Sequence, residues 1–207
     1  MNNTIECLLV RHGLTKGNEE KRYIGNRSDE GLSVAGKEQC KKLSEALRKH
    51  TAGKKSLLIS GELKRCVTSA KLLFPDIPAV TDKDISEIDF GDFEGKNHLE
   101  LKDNTDYMAW LASGGTSSFP GGESREDFIK RSFDTFARNI KRFAGDYEQI
   151  VFVCHGGNIM SVMSSLTGKN YFDFQVSCCE GYKLTMEVTD EGIDLVSYSS
   201  LLYRDSA

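Results

Sequence analysis

The sequence has little proline and no closely spaced cysteine pair of the metal-binding kind, and each absence excludes a class of protein. It contains 3 prolines in 207 residues, so no proline-rich linker divides it, and the length suits one large domain. None of its 6 cysteines forms a CxxC pair, which removes the usual spacing of zinc ligands. We therefore expect a single domain over 1–207, with reduced, buried thiols and without a metal site.

Basic charge is also scarce. Lys and Arg number 27 against 31 Asp and Glu, which gives a formal net charge of −4 at pH 7. Proteins that bind nucleic acids or anionic membranes usually present a basic surface, so neither partner is expected. Residues 1–7 lack the charged and apolar regions of a signal peptide, and the uncharged stretch 149–168 contains His155, Gly156 and Asn158, unlike a membrane span. The sequence predicts a cytoplasmic protein.

Short apolar runs alternate with amphipathic segments along the chain. The apolar runs predict strands at 5–10, 56–60 and 149–154. The periodic segments predict helices at about 34–50, 62–74, 124–144 and 158–166, followed by an antiparallel hairpin around 190–192. Ser33 and Ser124 are the expected N-caps. The expected buried face of the first helix consists of Val34, Cys40, Leu43 and Leu47.

This alternation predicts an α/β fold, a three-layer α/β/α sandwich whose central sheet is mostly parallel with an antiparallel edge. In such sheets, ligands bind beyond the carboxyl ends of the strands. Polar residues follow three of the predicted strands at this point: Arg11 and His12, then Arg65, then His155 and Gly156. The fold would bring two histidines and two arginines to one edge.

Such a cluster is suited to phosphate chemistry. Guanidinium groups match phosphate oxygens in a bidentate geometry and stay charged at any working pH. A neutral imidazole can act as a nucleophile and form a phosphohistidine, while a second histidine donates hydrogen bonds to the transferring group. An acid is also needed to protonate the leaving alkoxide, and the segment 85–95 offers four candidates. Spacing alone does not choose among Glu87, Asp89, Asp92 and Glu94.

Six motifs in register give the sequence a family resemblance. They are Arg11-His12-Gly13-x-Thr15-x-x-Asn18, Arg22-Tyr23-x-Gly25, Ser60-x-x-x-x-Arg65-x-x-Thr68, Glu87-x-x-Phe90-Gly91-x-Phe93-Glu94-Gly95, Gly121-Gly122-Glu123-Ser124 and Val153-x-His155-Gly156. Together they resemble the histidine phosphatase superfamily, the phosphoglycerate-mutase-like proteins, over residues 8 to 158. Within it, the sequence is most similar to bacterial α-ribazole phosphatases of the cobalamin pathway.

The resemblance implies roles for particular residues. His12 would be the phosphorylated nucleophile, and Glu87 the proton donor. The phosphate would be bound by the two arginines, an asparagine, the second histidine and the glycine after it: Arg11, Asn18, Arg65, His155 and Gly156. Three further residues would lie near the substrate, namely Thr15, Arg22 and Gly25. The implied enzyme is a phosphomonoesterase that hydrolyses a small-molecule phosphate without a metal or cofactor.

Several questions stay open at this point. A phosphoglycerate mutase is one alternative, although the sequence lacks the Tyr-Gly-x-Leu-x-Gly-Leu-Asn stretch of the longer mutases, and Leu14 stands where many members have Glu or Gln. A phosphate-binding module without turnover is another. Residues from about 96 to 123, rich in Gly and Ser near their end, are expected to cap the site as a lid. A homodimer is compatible with the sequence.

Overall fold

A six-stranded sheet lies at the centre of the protein in a computed structural model that describes residues 3–201. The strands are β1 (Asn3–Arg11), β2 (Ser56–Ser60), β3 (Ala79–Thr81), β4 (Gln149–Cys154), β5 (Gly181–Val188) and β6 (Ile193–Leu201). The helices are α1 (Lys16–Glu19), α2 (Val34–Arg48), α3 (Lys64–Leu73), α4 (His98–Leu101), α5 (Thr105–Ala112), α6 (Arg125–Phe143) and α7 (Gly156–Thr167). Short 3₁₀ turns cover Gly91–Phe93 and Tyr171–Phe174.

The sheet has the strand order β3-β2-β4-β1-β5-β6. Pairings β1–β4, β2–β4 and β2–β3 are parallel, whereas β5 runs antiparallel to both β1 and β6. The crossovers between parallel strands are helical, as parallel pairing requires. A mostly parallel sheet with an antiparallel edge is therefore confirmed.

Alternate residues of the central strands pack on opposite faces of the sheet, and each face has its own pair of helices. Leu8 and Val10 of β1 lie in one core cluster with buried residues of α2 and α3. Cys7 and Leu9 lie in a second cluster with buried residues of α6 and α7. The strands read as continuous apolar runs because both faces are covered. The three-layer arrangement is also confirmed.

Local sequence signals set most helix ends. Ser33 and Ser124 accept hydrogen bonds at 3.0 Å from the backbone N–H groups of Gly36 and Asp127, so both predicted N-caps are confirmed. The prediction that Val34 is buried is wrong, since it is 77% exposed. Gly36 faces the core, and two residues correspond to about 200° around a helix, which turns Val34 towards solvent.

The helix after β4 begins earlier than predicted. It starts at Gly156 rather than 158, with His155 in the N-cap position. The amide of Asn158 closes this end, since its Oδ1 accepts from the His155 backbone N–H at 3.3 Å. His155 is thus held at a strand–helix junction, where its backbone conformation is fixed from both sides.

The segment 96–123 joins an apolar cluster separate from the two sheet faces. Its buried side chains Leu101, Tyr107 and Phe119 pack with Phe93 and Phe128. Across residues 3–201, no helix combines the length and the apolarity that crossing a membrane requires.

Candidate active site

The carboxyl ends of three parallel strands place the predicted histidines at one edge of the sheet. In the β1–β4 ladder Arg11 pairs with Cys154, and in the β2–β4 ladder Ser60 pairs with Val153. The residues that follow, His12 and His155, therefore leave the sheet at the same level. Their ring centroids lie 5.2 Å apart at an interplanar angle of 68°.

His12 is oriented by its own turn. Its Nδ1 lies 2.8 Å from the carbonyl oxygen of Gly13, and the residue is 4% exposed. A carbonyl oxygen only accepts hydrogen bonds, so Nδ1 carries the proton and Nε2 presents an unprotonated lone pair. The Gly13 N–H in turn donates to the buried Ser69 hydroxyl at 2.8 Å, which holds the turn in place. His12 therefore has the tautomer that a nucleophile needs.

Burial and neighbouring cations keep His12 neutral. Loss of solvation lowers its pKa to about 3, and the positive charges of Arg65 and Arg11 act in the same direction. The hydrogen bond to the Gly13 carbonyl raises the pKa, but its effect is smaller than that of burial and the two guanidiniums. The lone pair on Nε2 is thus available throughout the neutral range.

Because His12 is buried and neutral, we expect that it does not titrate near pH 7. In an NMR titration of histidine-labelled protein, His12 should keep its neutral signals from pH 8 down to pH 5, since its pKa is near 3. Linkage gives a second expectation. The unfolded chain binds this proton near pH 6.5 and the folded chain only near 3, so the free energy of unfolding should decrease as pH falls through that window. A His12 signal that titrates between pH 6 and 7 would contradict both.

His155 is fully buried and has the opposite tautomer. Its Nδ1 lies 3.2 Å from Nε of Arg65, a guanidinium nitrogen that only donates. Nδ1 is therefore the acceptor and Nε2 carries the proton. Burial and the charge of Arg65 hold the pKa of His155 well below its usual value. His155 is therefore a neutral hydrogen-bond donor beside the nucleophile, and its Nε2 lies 3.4 Å from the sulfur of Cys66.

Arg65 is the largest polar side chain in the core, only 1% exposed. Besides His155, it donates to the carbonyl oxygens of Ser28 at 2.6 Å and Gly25 at 2.8 Å. Gly25 is therefore an acceptor that fixes the guanidinium in position. Arg65 forms no ion pair with a carboxylate of residues 3–201, and a buried cation held by neutral carbonyl groups favours an anionic ligand.

Arg11 lies on the open side of the cluster. Its Nη1 donates to the carbonyl oxygen of Val176 at 2.7 Å. Its Nε is buried and has no hydrogen-bond partner among residues 3–201. Buried donors of this kind are rare in folded proteins. The unpartnered Nε indicates that a ligand oxygen belongs beside Arg11.

Glu87 reaches the same cluster from the loop before the first 3₁₀ turn. Its carboxylate accepts backbone hydrogen bonds from Ile88 at 3.0 Å and from Gly157 at 3.2 Å. Burial raises its pKa and outweighs these two bonds and the nearby arginines, which lower it. A side chain at Gly157 would collide with the carboxylate and with the Phe128 ring, so only glycine permits this approach. The site therefore holds a carboxyl group with a raised proton affinity.

The other three acids of this segment have different surroundings. Asp89 forms an ion pair with Arg27 at 2.7 Å, and Glu94 accepts from the Gly25 N–H at 2.8 Å. Asp92 is exposed. Geometry thus separates Glu87 from its neighbours, a choice that spacing alone left open.

Thr15, Asn18 and Arg22 lie on the chain that follows His12. Thr15 and Asn18 cap one another: each backbone N–H donates to the other's side-chain oxygen at 3.2 Å. The guanidinium of Arg22 donates at 2.6 Å to Glu20, to Glu100 and to the carbonyl oxygen of Gly95. These contacts connect Arg22 to the segment 96–123 and give no support to its predicted place near the substrate.

Arg131 is a site-supporting residue that the sequence analysis missed. It donates to the backbone carbonyl of Glu87 at 3.0 Å and to that of Ser86 at 3.2 Å. Glu123 holds it from the other side through a bidentate pair at 2.7 and 2.9 Å, so Glu123 does more than begin a helix. Its signal was weak, because one arginine on an amphipathic helix usually faces solvent.

We expect Arg131→Met to reduce kcat about 10-fold to 100-fold with little change in KM, because it loosens Glu87 and removes no hydrogen bond of Arg11, Arg65 or His12. The basic side of the pH profile should shift as well, since the surroundings of the Glu87 carboxyl change. Lys130→Met removes an exposed cation from the neighbouring position and serves as the control. Loss of stability with unchanged kcat would show that Arg131 is only structural.

A cavity of about 480 Å³ opens beside this cluster. Arg11 and Glu87 line it together with the amino end of α7 and four residues of the segment 175–180. A larger cavity of about 800 Å³ lies at the amino ends of the strands, where Arg48 is paired with Asp76. In residues 3–201, no group of three or more His, Cys, Asp or Glu side chains is arranged to hold a metal ion. The six cysteines are buried free thiols.

Comparison with known proteins identifies the family. The profile of the histidine phosphatase superfamily (branch 1) matches residues 7–200. A glucosyl-3-phosphoglycerate phosphatase of Mycolicibacterium vanbaalenii is 30% identical, over 78% of this chain and 73% of its own. The adenosylcobalamin/α-ribazole phosphatase of Escherichia coli is 28% identical, over 77% of this chain and 78% of its own.

A solved structure agrees on the fold. The α-ribazole phosphatase of Shigella flexneri superposes with a TM-score of 0.73 at 24% identity, over 92% of this chain and 94% of that one. The profile match extends over nearly all of the described residues, including both histidines, both arginines and Glu87. The chain therefore belongs to the histidine phosphatase superfamily and is an enzyme with phosphatase activity.

Proposed function

We propose that the protein hydrolyses the phosphate monoester of a small alcohol through a phosphohistidine at His12. One observation carries this proposal: the Nδ1 of His12 is committed to the Gly13 carbonyl at 2.8 Å, so Nε2 is an unprotonated nucleophile beside two guanidiniums. A structural histidine would satisfy both ring nitrogens. The pairing of a free lone pair with concentrated positive charge is suited to attack on a bound phosphate.

Side chains supply the charge that binds the substrate. The Nε of Arg11 and the buried guanidinium of Arg65 would bind the phosphate oxygens, with His155 Nε2–H as a further donor. A phosphate oxygen about 4 Å from a guanidinium gains on the order of 4 kcal/mol at an effective dielectric near 20, before desolvation. Asn18 and the amino end of α7 at Gly156 complete the proposed set, since a helix amino end favours an anion.

In the first step, His12 Nε2 attacks phosphorus and an N–P bond forms as the ester P–O bond breaks. Glu87, whose raised pKa favours the protonated form, gives its proton to the leaving oxygen, so the alcohol departs neutral. The arginines and His155 stabilise the charge on the phosphoryl oxygens during transfer. The ionised Glu87 remains beside the phosphorylated ring.

In the second step, the Glu87 carboxylate takes a proton from water while the oxygen attacks phosphorus. The N–P bond breaks, its electron pair returns to His12 Nε2, and inorganic phosphate is released. Glu87 regains its proton, so the enzyme is ready for another cycle. Acid and base are the same residue in the two half-reactions, as microscopic reversibility favours.

The proposal is tested with p-nitrophenyl phosphate. Release of p-nitrophenol should persist in the presence of a chelator, because guanidiniums supply the positive charge, and should be inhibited by vanadate, which mimics the transferring group. A protein that binds phosphate without turnover would contradict the proposal. Formation of 2-phosphoglycerate from 3-phosphoglycerate without release of phosphate would indicate a mutase instead.

For the substrate, we propose an α-ribazole 5′-phosphate or a phosphate ester of similar size. The similarity to α-ribazole phosphatases supports this choice. A panel of phosphorylated metabolites ranked by kcat/KM tests it, and a preference of 100-fold or more for an unrelated ester would exclude it. The cobalamin pathway and a cytoplasmic location stay predictions of the sequence.

A lid formed by residues 96–123 also stays a prediction. In this structure the segment packs on its own apolar cluster, and none of its residues lines the 480 Å³ cavity. If it closes over bound substrate, exchanging it for the matching segment of a broad-specificity relative should change the ranking of substrates while turnover through His12 persists. An unchanged ranking would exclude the lid.

A further inference from the structure

One wall of the cavity that Glu87 lines is formed by the segment 175–180, which the sequence motifs do not include. Gln175, Val176, Ser177 and Glu180 of this segment line the cavity, directly beside Arg11. A leaving group attached to a phosphate held by the arginines would extend along this wall. The side chains of this wall therefore influence which alcohols the enzyme accepts as leaving groups.

Glu180 is fixed in place at this wall. Its Oε2 accepts a hydrogen bond from the Ser177 backbone N–H at 3.1 Å, and its own N–H donates to the Ser177 carbonyl at 3.1 Å. Its carbonyl oxygen accepts from the Arg11 backbone N–H at 2.9 Å, where β5 joins β1. The carboxylate thus belongs to a closed turn attached to the strand that carries Arg11 and leads into His12.

The carboxylate of Glu180 has no neutralising cation within residues 3–201. No Lys, Arg or His of residues 3–201 forms an ion pair with it. Among the described residues, Arg11 is the only Lys or Arg that lines the cavity; its Nη1 donates to Val176, and its Nε is assigned to the phosphate in the proposed function. As far as the described part of the chain extends, the wall therefore offers a carboxylate and neutral polar groups, but no second cation for a second anionic group.

We propose that Glu180 selects the leaving group by charge, so that the cavity accepts phosphate esters of neutral polyols or amines and rejects those that carry a carboxylate. This inference rests on the proposed phosphatase function. Like charges facing each other in a partly desolvated cavity repel strongly, whereas a hydroxyl or ammonium group can donate to the same carboxylate. Ser177 and Gln175 add neutral hydrogen-bonding groups for such an alcohol.

The test uses two nearly isosteric ligands, glycerol 3-phosphate and 3-phosphoglycerate, which differ by a hydroxymethyl group in place of a carboxylate. Each is measured as a competitive inhibitor of p-nitrophenyl phosphate turnover, so neither needs to be the natural substrate. The wild-type protein should bind glycerol 3-phosphate at least about tenfold more tightly, equivalent to ~1.4 kcal/mol. In Glu180→Gln this ratio should fall to threefold or less, through tighter binding of 3-phosphoglycerate.

Two further variants complete the design. Ser177→Lys adds a cation to the same wall through an exposed side chain and should also favour 3-phosphoglycerate, which covers the case in which Glu180→Gln does not fold. Glu191→Gln is the matched control. It removes an exposed carboxylate from the β5–β6 turn, about 25 Å away along an eight-residue strand, and should leave the ratio unchanged.

The outcomes separate this inference from the function on which it rests. Absence of p-nitrophenyl phosphate turnover in the wild type would overturn both. Normal turnover with a ratio that stays at its wild-type value in Glu180→Gln and Ser177→Lys would overturn the charge selection alone. Tighter binding of 3-phosphoglycerate than of glycerol 3-phosphate by the wild type would also overturn the charge selection alone.

Discussion

His12→Ala is expected to reduce kcat for p-nitrophenyl phosphate by about 10⁴-fold or more, because the variant has no atom to accept the phosphoryl group. The arginines and His155 would still bind phosphate, so competitive inhibition by inorganic phosphate should persist. Alanine also removes the imidazole whose pKa is lowered to about 3, so the variant should lose less stability in acid than the wild type.

The control for this experiment is His98→Ala. His98 is exposed at the start of α4 and contacts Tyr107 rather than the cluster, so its loss should leave turnover within twofold of the wild type. A His12→Ala protein that is folded, binds phosphate and turns over at the wild-type rate would show that another group is the nucleophile.

Glu87→Gln is expected to have the second largest effect, and the effect should depend on the leaving group. For an alkyl phosphate, loss of the proton donor should reduce kcat about 10²-fold to 10³-fold, the usual contribution of a general acid. For p-nitrophenyl phosphate, whose leaving group departs without a proton, the first step should be nearly unaffected. Hydrolysis of the phosphoenzyme should then become rate-limiting, because the base of the second step is also missing.

Asp92→Asn is the matched control, since it neutralises an exposed carboxyl group only five residues away. Asp92→Asn should leave the turnover of both substrates unchanged. An equal loss of kcat/KM, which reports the first step, for both leaving groups in Glu87→Gln would mean that Glu87 only supports the structure, and the proton donor would have to be sought elsewhere.

Much of the fold could be predicted from the sequence because its signals are local. The apolar runs of β2 and β4 occupy the predicted residues, since strands covered on both faces leave an unbroken apolar pattern. Val34 shows the limit of this approach: its hydrophobicity suggested burial, but the turn of α2 directs it to solvent. Helix phase at a first turn depends on packing that hydrophobicity does not encode.

The site was less accessible to sequence reasoning. Residues that directly follow strands, such as His12 and His155, could be placed together because parallel strands end at a common edge. Glu87 could not be separated from Asp89 by spacing, since the difference lies in which carboxyl group is buried. Arg131 gave only a weak signal and Glu180 none, because their importance comes from contacts distant in sequence.

The measurement that tests the account most directly is a pre-steady-state experiment on Glu87→Gln with p-nitrophenyl phosphate, followed by mass spectrometry of the protein quenched in alkali. We predict a burst of p-nitrophenol approaching one equivalent per active site and one phosphoryl group on the peptide that contains His12. The absence of a burst together with an unmodified peptide, or a phosphoryl group on a different residue, would contradict the phosphohistidine route.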